Sequence, residues 1–224
     1  MVVSKRSDSR RSLFWLLMAF ALTTGCAPTF EPTEFFPSGA FSNPDHITAH
    51  DQFYARWFGT PLAAMREKPL RTNLLEHDQV IRISVHPSWS TASMARLMQS
   101  PDGNWIWEYK DLKKIWILEG GSSDKPGRLD VQRQGVASEP EGRAIDRFLT
   151  AIGPVGSALP THSESACTDG TTFVFEFFNR GVYNVLERHI CDFRKSSSLR
   201  NFLILVNRIS GGTLANETYI INGA

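Results

Sequence analysis

Between residues 79 and 134 apolar and polar positions alternate. Ile81, Ile83 and Val85 are interleaved with Arg82 and Ser84 ahead of Pro87, the two-residue period of a strand that a proline halts. The run "SMARLMQSPDGNWIWEYKDL" breaks at Pro101-Asp102-Gly103, a turn signal that predicts a strand on either side; a helix over 91–98 is the alternative. Two more strands are expected over 114–118 and 128–134, bracketing the Gly/Ser/Asp/Pro segment 120–127. Later, Phe173, Phe175 and Phe177 alternate ahead of Asn179-Arg180-Gly181, which reads as a β-hairpin. A three-residue loop there sets Phe177 against Tyr183, Phe175 against Val185 and Cys191 against Asp169. A register centred on Asn179 instead pairs Cys191 with Cys167.

Other stretches carry the helical period. "PDHITAHDQFYARWFG" places Ile47, Phe53, Tyr54, Trp57 and Phe58 in a helix that Asp45 caps and that ends near Gly59, with "PLAAMREK" adding a short further turn. "SEPEGRAIDRFLTAIGPVG" has Ser138 as cap, Glu141 three residues on, and Ile145, Phe148, Leu149 and Ile152 along one side before Gly153-Pro154. "SSSLRNFLILVNRIS" predicts a last helix, with "FLILV" as a buried strand the alternative. The order of elements gives an α+β fold, mainly antiparallel sheet with a few separate helices. Neither a phosphate-cradling glycine loop nor a dinucleotide fingerprint occurs.

The N-terminal pattern is different. Lys5, Arg6, Arg10 and Arg11 precede ten apolar residues, Leu13 to Leu22, in the order of a secretory signal peptide. As a helix that core would span about 15 Å, half the ~30 Å hydrocarbon thickness, so cleavage rather than a permanent span is expected. The next residues, Leu22-Thr23-Thr24-Gly25-Cys26, resemble the lipobox of bacterial lipoproteins. Gly25 and Thr24 match its small residues, whereas Thr23 stands where the class usually has Leu, found here one place earlier. The resemblance covers residues 1–26 and implies that Cys26 is lipidated and becomes the first residue. Two or three acyl chains anchor firmly where one does not. Ala27, rather than Asp, implies an outer-membrane destination facing the periplasm, with the inner membrane the alternative.

The organisation expected is therefore a signal peptide over 1–25, a lipidated Cys and Pro/Phe-rich tether over 26–45, and one α+β domain over 46–224. Pro28, Pro32, Pro37 and Pro44 argue against a packed element in the tether, and Phe30, Phe35, Phe36 and Phe41 are expected to dock on the domain or lie at the lipid surface. The leader holds a net +3, so the formal +1 of the whole chain becomes −2 after its removal. A nearly neutral chain has no global electrostatic footprint for nucleic acid.

Two further cysteines, Cys167 and Cys191, fall at the open end of the predicted hairpin, and in an exported chain a disulfide staple is the natural reading. His189 beside Cys191 supplies too few ligands for zinc, and no family signature surrounds either thiol. The six histidines include no HExxH spacing; His46 and His50, four apart, are two ligands only, so neither a metal nor another cofactor is expected. Ser88, Ser90 and Ser163 lack a nucleophile elbow. Glu108, Glu164, Glu176 and Asp169 are the carboxylates that a cell-wall hydrolase would draw on, with Glu176 expected on the wetter face of the hairpin.

Aromatic residues give the strongest binding signal. Trp89, Trp105, Trp107, Tyr109 and Trp116 crowd together, and Trp105, Trp107 and Tyr109 share one strand face. That stripe either fills a core, the commoner fate, or stacks on an envelope glycan or protein partner. The functional expectation is a membrane-anchored periplasmic lipoprotein that binds or assists assembly without catalysis. An envelope hydrolase and a soluble secreted protein are the alternatives.

Overall fold

Each alternating run within the described residues joins one antiparallel sheet. The computed structural model describes residues 29–41, 49–71, 77–88, 90–113, 127–153, 170–194, 197–211 and 214. Its strands are β1 (Gln79–Pro87), β2 (Ser93–Gln99), β3 (Trp105–Lys113), β4 (Arg128–Val136), β5 (Thr171–Asn179) and β6 (Val182–His189), ordered β4-β3-β2-β1-β5-β6. Three α-helices accompany them among the described residues: α1 (Ala49–Ala64), α2 (Glu139–Ile152) and α3 (Ser197–Ile209). The architecture is α+β. The run around Pro101 forms β2 and β3 rather than a helix, and "FLILV" lies inside α3 rather than in a strand. The strand expected over 114–118 lies outside the described residues.

Parity decides which residues meet which layer. Ile81, Ile83 and Val85 of β1 pair in register with Phe177, Phe175 and Phe173 of β5, and all six point to a core closed by α2 and α3. α2 starts at a capping box in which Ser138 and Glu141 satisfy each other's backbone, and it buries Ile145, Phe148 and Ile152. It meets α3 through Phe148 stacked on Phe202, their rings 3.7 Å apart and nearly parallel.

The opposite face of the sheet is covered as well. There α1 and residues 29–41 form a second apolar cluster with Val174 and Val185, in which Phe35, Phe36, Phe41, Phe58 and Leu62 are buried. Residues 29–41 are thus packed rather than an open tether, and contain a short 3-10 turn, Pro32–Glu34. The physical reason is the phenylalanines. Once Phe36 and Phe41 stack edge to face and Phe41 meets Phe58, the prolines only shape the path.

Gly59 and Pro61 do not end α1. Pro61 removes one backbone donor, and the Thr60 hydroxyl bonds the carbonyl of Arg56 at 2.7 Å beside it. Gly59 serves close approach instead: a β-carbon there would lie 1.9 Å from the carbonyl oxygen of Pro32. Asp45, the expected cap, lies outside the described residues.

The β5–β6 hairpin turns through two residues, not three. Asn179 pairs with Val182, so Phe177 faces Asn184 and Phe175 faces Leu186. Arg180 and Gly181 take φ of 47° and 85°, the double left-handed turn whose twist matches paired strands. Past His189 the ladder gives way to a 3-10 turn, Ile190–Arg194, because the Asp192 carboxylate accepts the His189 amide at 3.0 Å. Cys191 is therefore half-buried in that turn rather than on a strand, and no disulfide joins two described residues; Cys167 lies outside them.

Gly→Ala inside a helix ordinarily stabilises by up to about 1 kcal/mol. Gly59→Ala is expected to reverse that sign and destabilise by about 1–3 kcal/mol, because Pro32 must move. The urea midpoint reads it.

Candidate functional site

The second face of the sheet carries charge where strand alternation alone predicts a wet surface. Four adjacent strands contribute residues in one cross-strand line: Glu176 of β5 pairs with Arg82 of β1, Arg82 with Arg96 of β2, and Arg96 with Glu108 of β3. Arg82 and Glu176 are both 0 % exposed. Their contact is bidentate, Arg82 Nε to Glu176 Oε2 at 2.6 Å and Nη2 to Oε1 at 2.7 Å, and the Tyr183 hydroxyl donates to the same carboxylate at 2.9 Å. Phe35 of the N-terminal segment lies over the Arg82 guanidinium, 5.7 Å from ring centroid to Cζ. Glu176 thus has the parity expected of it, opposite the phenylalanines, but it is dry because α1 and residues 29–41 cover that face.

At the centre of the line two arginines oppose each other, an arrangement unfavourable unless an anion joins them. Glu67 is that anion. It arrives from the end of α1, where Arg66 adopts φ 57° and the amides of Arg66 and Glu67 bond back to Ala63 and Leu62, a left-handed helix stop that aims residue 67 into the sheet. Glu67 Oε2 accepts Arg96 Nη1 at 2.8 Å and lies 3.4 Å from Arg82 Nη1, while Oε1 accepts Lys110 Nζ at 2.5 Å. Glu108 pairs with Arg96 and accepts Gln132 Nε2 at 2.8 Å. Three cations, Arg82, Arg96 and Lys110, thus meet three carboxylates, Glu67, Glu108 and Glu176.

The electrostatics follow from this closure. Burial is the largest single influence on Glu67 and favours its neutral form, but Arg96, Arg82 and Lys110 together overcome it and hold the carboxyl below its usual value. Burial also opposes charge on Arg82, and Glu176 and Glu67 reverse that. Tyr183 is pushed well above the usual phenol range, by burial first and then by Glu176. Further along β1, His86 is buried against Phe58, hydrogen-bonded to Ser84 at 2.9 Å, and burial lowers its pKa to about 3. Every charged group of the cluster has an internal partner of opposite sign, while Arg96 Nε is buried without an acceptor. Its chemistry is that of a clamp, joining the sheet, the residues after α1 and Phe35 of the N-terminal segment.

The N-terminal segment has a second clamp. The Asp51 carboxylate on α1 accepts the amides of Gly39 and Phe41 at 2.7 and 2.8 Å, and Arg71 donates to the Glu34 carbonyl at 3.0 Å. On the outer side of α1, opposite Asp51, Ala55, Phe58 and Leu62, stand Phe53, 61 % exposed, and Trp57, 47 % exposed, their rings 5.8 Å apart.

A separate polar cleft of about 630 Å³ opens at one end of the sheet, lined by His77, Asp78, Gln79, Gln99, Asn179 and Arg180 among others. His77 Nδ1 lies 3.1 Å from the Gln99 carbonyl. Asp78 is the one carboxylate in that lining, so the cleft offers hydrogen bonding rather than a facing acid pair.

The residues singled out from sequence do not converge. Trp105 and Tyr109 are buried in the core under α2, with Trp105 Nε1 donating to Asp146 at 2.9 Å, and Trp107 is partly buried against the same core. Gly135 lets the Trp107 ring cross β4, since a β-carbon there would lie 2.7 Å from it. The stripe is packing and offers no open stacking platform. Glu108 and Glu176 are taken up by the buried clamp. Cys26, Cys167, Glu164, Asp169, His46, Trp89 and Trp116 lie outside the described residues. Among the described residues no group of three or more His, Cys, Asp or Glu is placed to hold a metal, and no helix is long and apolar enough to cross a membrane.

Sequence reading missed the Glu67 cluster. Its signal was present as charges of one parity on β1, β2, β3 and β5, legible only once the register was known. No protein-family model matches the chain, and no curated protein matches it.

Glu67→Gln preserves shape but leaves Arg82, Arg96 and Lys110 short of one anion. It is expected to destabilise by about 3–5 kcal/mol in urea unfolding. His86 gives a second, separable effect. Its folded pKa lies below its unfolded value near 6.5, so its contribution is complete above pH 6.5 and is lost as pH falls toward 3, at up to about 1.4 kcal/mol per pH unit. His86→Gln should reduce the pH dependence of stability between pH 6.5 and 5.5, a window in which Glu67 stays largely ionised in both states.

Proposed function

We propose that the chain is a bacterial lipoprotein, anchored through lipid on Cys26 at the periplasmic face of the outer membrane, and that its domain acts by noncatalytic binding or as an envelope-assembly accessory. The observation that carries this reading is the docked N-terminal segment. Residue 29, the first described, follows Cys26 by three positions, about 10 Å of chain at full extension. From there Phe35, Phe36 and Phe41 are buried and Asp51 holds Gly39 and Phe41. An anchor at Cys26 therefore acts on the folded body, holding one side of it near the bilayer rather than letting it range on a long leash.

The staple between Cys167 and Cys191 belongs to the same reading. Cys191 lies in the turn just past β6, the hairpin end at which Cys167 is expected. An oxidising compartment suits such a bond. The partner, a glycan or a protein of the envelope, is left to the exposed surface, since the Trp105, Trp107 and Tyr109 face is committed to the core.

Intact mass of the protein from envelope fractions, with and without reduction, tests the proposal. A chain starting at Cys26 with added acyl mass, gaining two hydrogens on reduction and losing the lipid in Cys26→Ser, is the expected result. A soluble, unlipidated chain with free thiols would overturn both the anchor and the staple.

A further inference from the structure

We infer that the outer face of α1 is a bilayer-contact surface, with Phe53 and Trp57 seated among lipid headgroups and Arg56 meeting lipid phosphate. The inference rests on the anchor at Cys26 and adds to it the orientation of the domain.

Large apolar side chains of this fold are mostly buried, and α1 breaks that pattern where it faces away from the sheet. Its inward residues Asp51, Ala55, Phe58 and Leu62 are buried at helical spacing. Phe53 and Trp57 stand one turn apart on the other side and touch, so they form one patch. Gln52 and Arg56, also exposed, lie alongside it. Asp51 is the helix's one carboxylate and points inward to Gly39 and Phe41, so the outer surface of α1 carries a cation and no anion. Tryptophan and phenylalanine beside arginine suit the interfacial layer of a membrane, where ring and guanidinium each find a partner, and an anionic leaflet complements the charge.

Chain length selects lipid over other occupants. Pro32 is pressed against Gly59 of α1, two residues past Trp57. Cys26 stands six positions before Pro32, so the lipidated residue lies within roughly 20 Å of that contact, whatever path the intervening residues take. α1 is itself about 24 Å long. A bilayer holding acyl chains at Cys26 is thus within roughly 30 Å of the patch, on a body whose N-terminal segment is fixed to α1.

The test uses the protein purified from envelopes, its mass checked for lipid, and reconstituted into vesicles of phosphatidylethanolamine and phosphatidylglycerol with brominated acyl chains. Bromine quenches tryptophan that enters the bilayer, and the difference between wild type and Trp57→Phe isolates Trp57. Strong quenching of Trp57, reduced severalfold by Phe53→Ser with Arg56→Gln, is expected. A lipidated protein whose Trp57 is unquenched would overturn the inference and leave the anchor standing, and concentration-dependent self-association protecting Trp57 would assign the patch to a second copy. If Cys26 carries no lipid, the anchor fails. Flotation of that chain with the same vesicles then decides the patch: flotation reduced at least about tenfold by Phe53→Ser with Trp57→Ser supports it, and wild-type protein remaining at the bottom overturns it.

Discussion

Two arginines face each other across the central strands of a sheet that is covered on both sides, and Glu67 makes that tolerable. Arg82 already has Glu176, and Arg96 has Glu108, yet the two guanidinium groups remain cross-strand neighbours with little access to water. Glu67 bonds Arg96, approaches Arg82 and takes Lys110 besides, so the polar layer closes on itself. Buried ion pairs are poor sources of stability compared with well-packed apolar groups, but removal of one member leaves charge stranded. Their value here is specificity. The cluster can close only when β5, β1, β2 and β3 are in this register and the stop at Arg66 delivers Glu67 to this place.

That requirement reaches the N-terminus. The polar layer must be roofed, and Phe35 supplies part of the roof, lying over Arg82. Asp51 ties the chain down at Gly39 and Phe41, and the missing β-carbon of Gly59 admits Pro32. Residues that composition assigns to a spacer are therefore structural. Under the proposed anchor at Cys26, lipid and domain would be held close together, with the outward Phe53 and Trp57 of α1 on the same body as the anchored segment.

Much of the architecture was legible in the sequence because local signals agreed with tertiary needs. The alternation around Ile81 to Val85, the turn at Pro101-Asp102-Gly103 and the Ser138 to Glu141 box each specified an element that the fold uses as written. Most of the failures share one cause, contacts distant in sequence. Gly59 reads as a helix stop until Pro32 is known to lie against it. Glu176 reads as solvent-facing until a second layer covers it. The hairpin loop is one residue shorter than expected because Arg180, not only Gly181, accepts a left-handed conformation. Of the candidate site residues, the aromatic stripe proved to be core, since strand parity cannot say which face of a sheet is covered. The cysteine readings rest on export chemistry, and the outward patch of α1 was hidden among apolar residues that all looked equally suited to the interior.

The account stands on the N-terminal segment being part of the folded body. Amide hydrogen exchange at Gly39 and Phe41, whose N–H groups are bonded to Asp51, tests this most directly. Both amides are predicted to exchange as slowly as those of central strand β1. Exchange at the rate of an open chain, with β1 still protected, would show residues 29–41 to be a loose leash and would contradict the account.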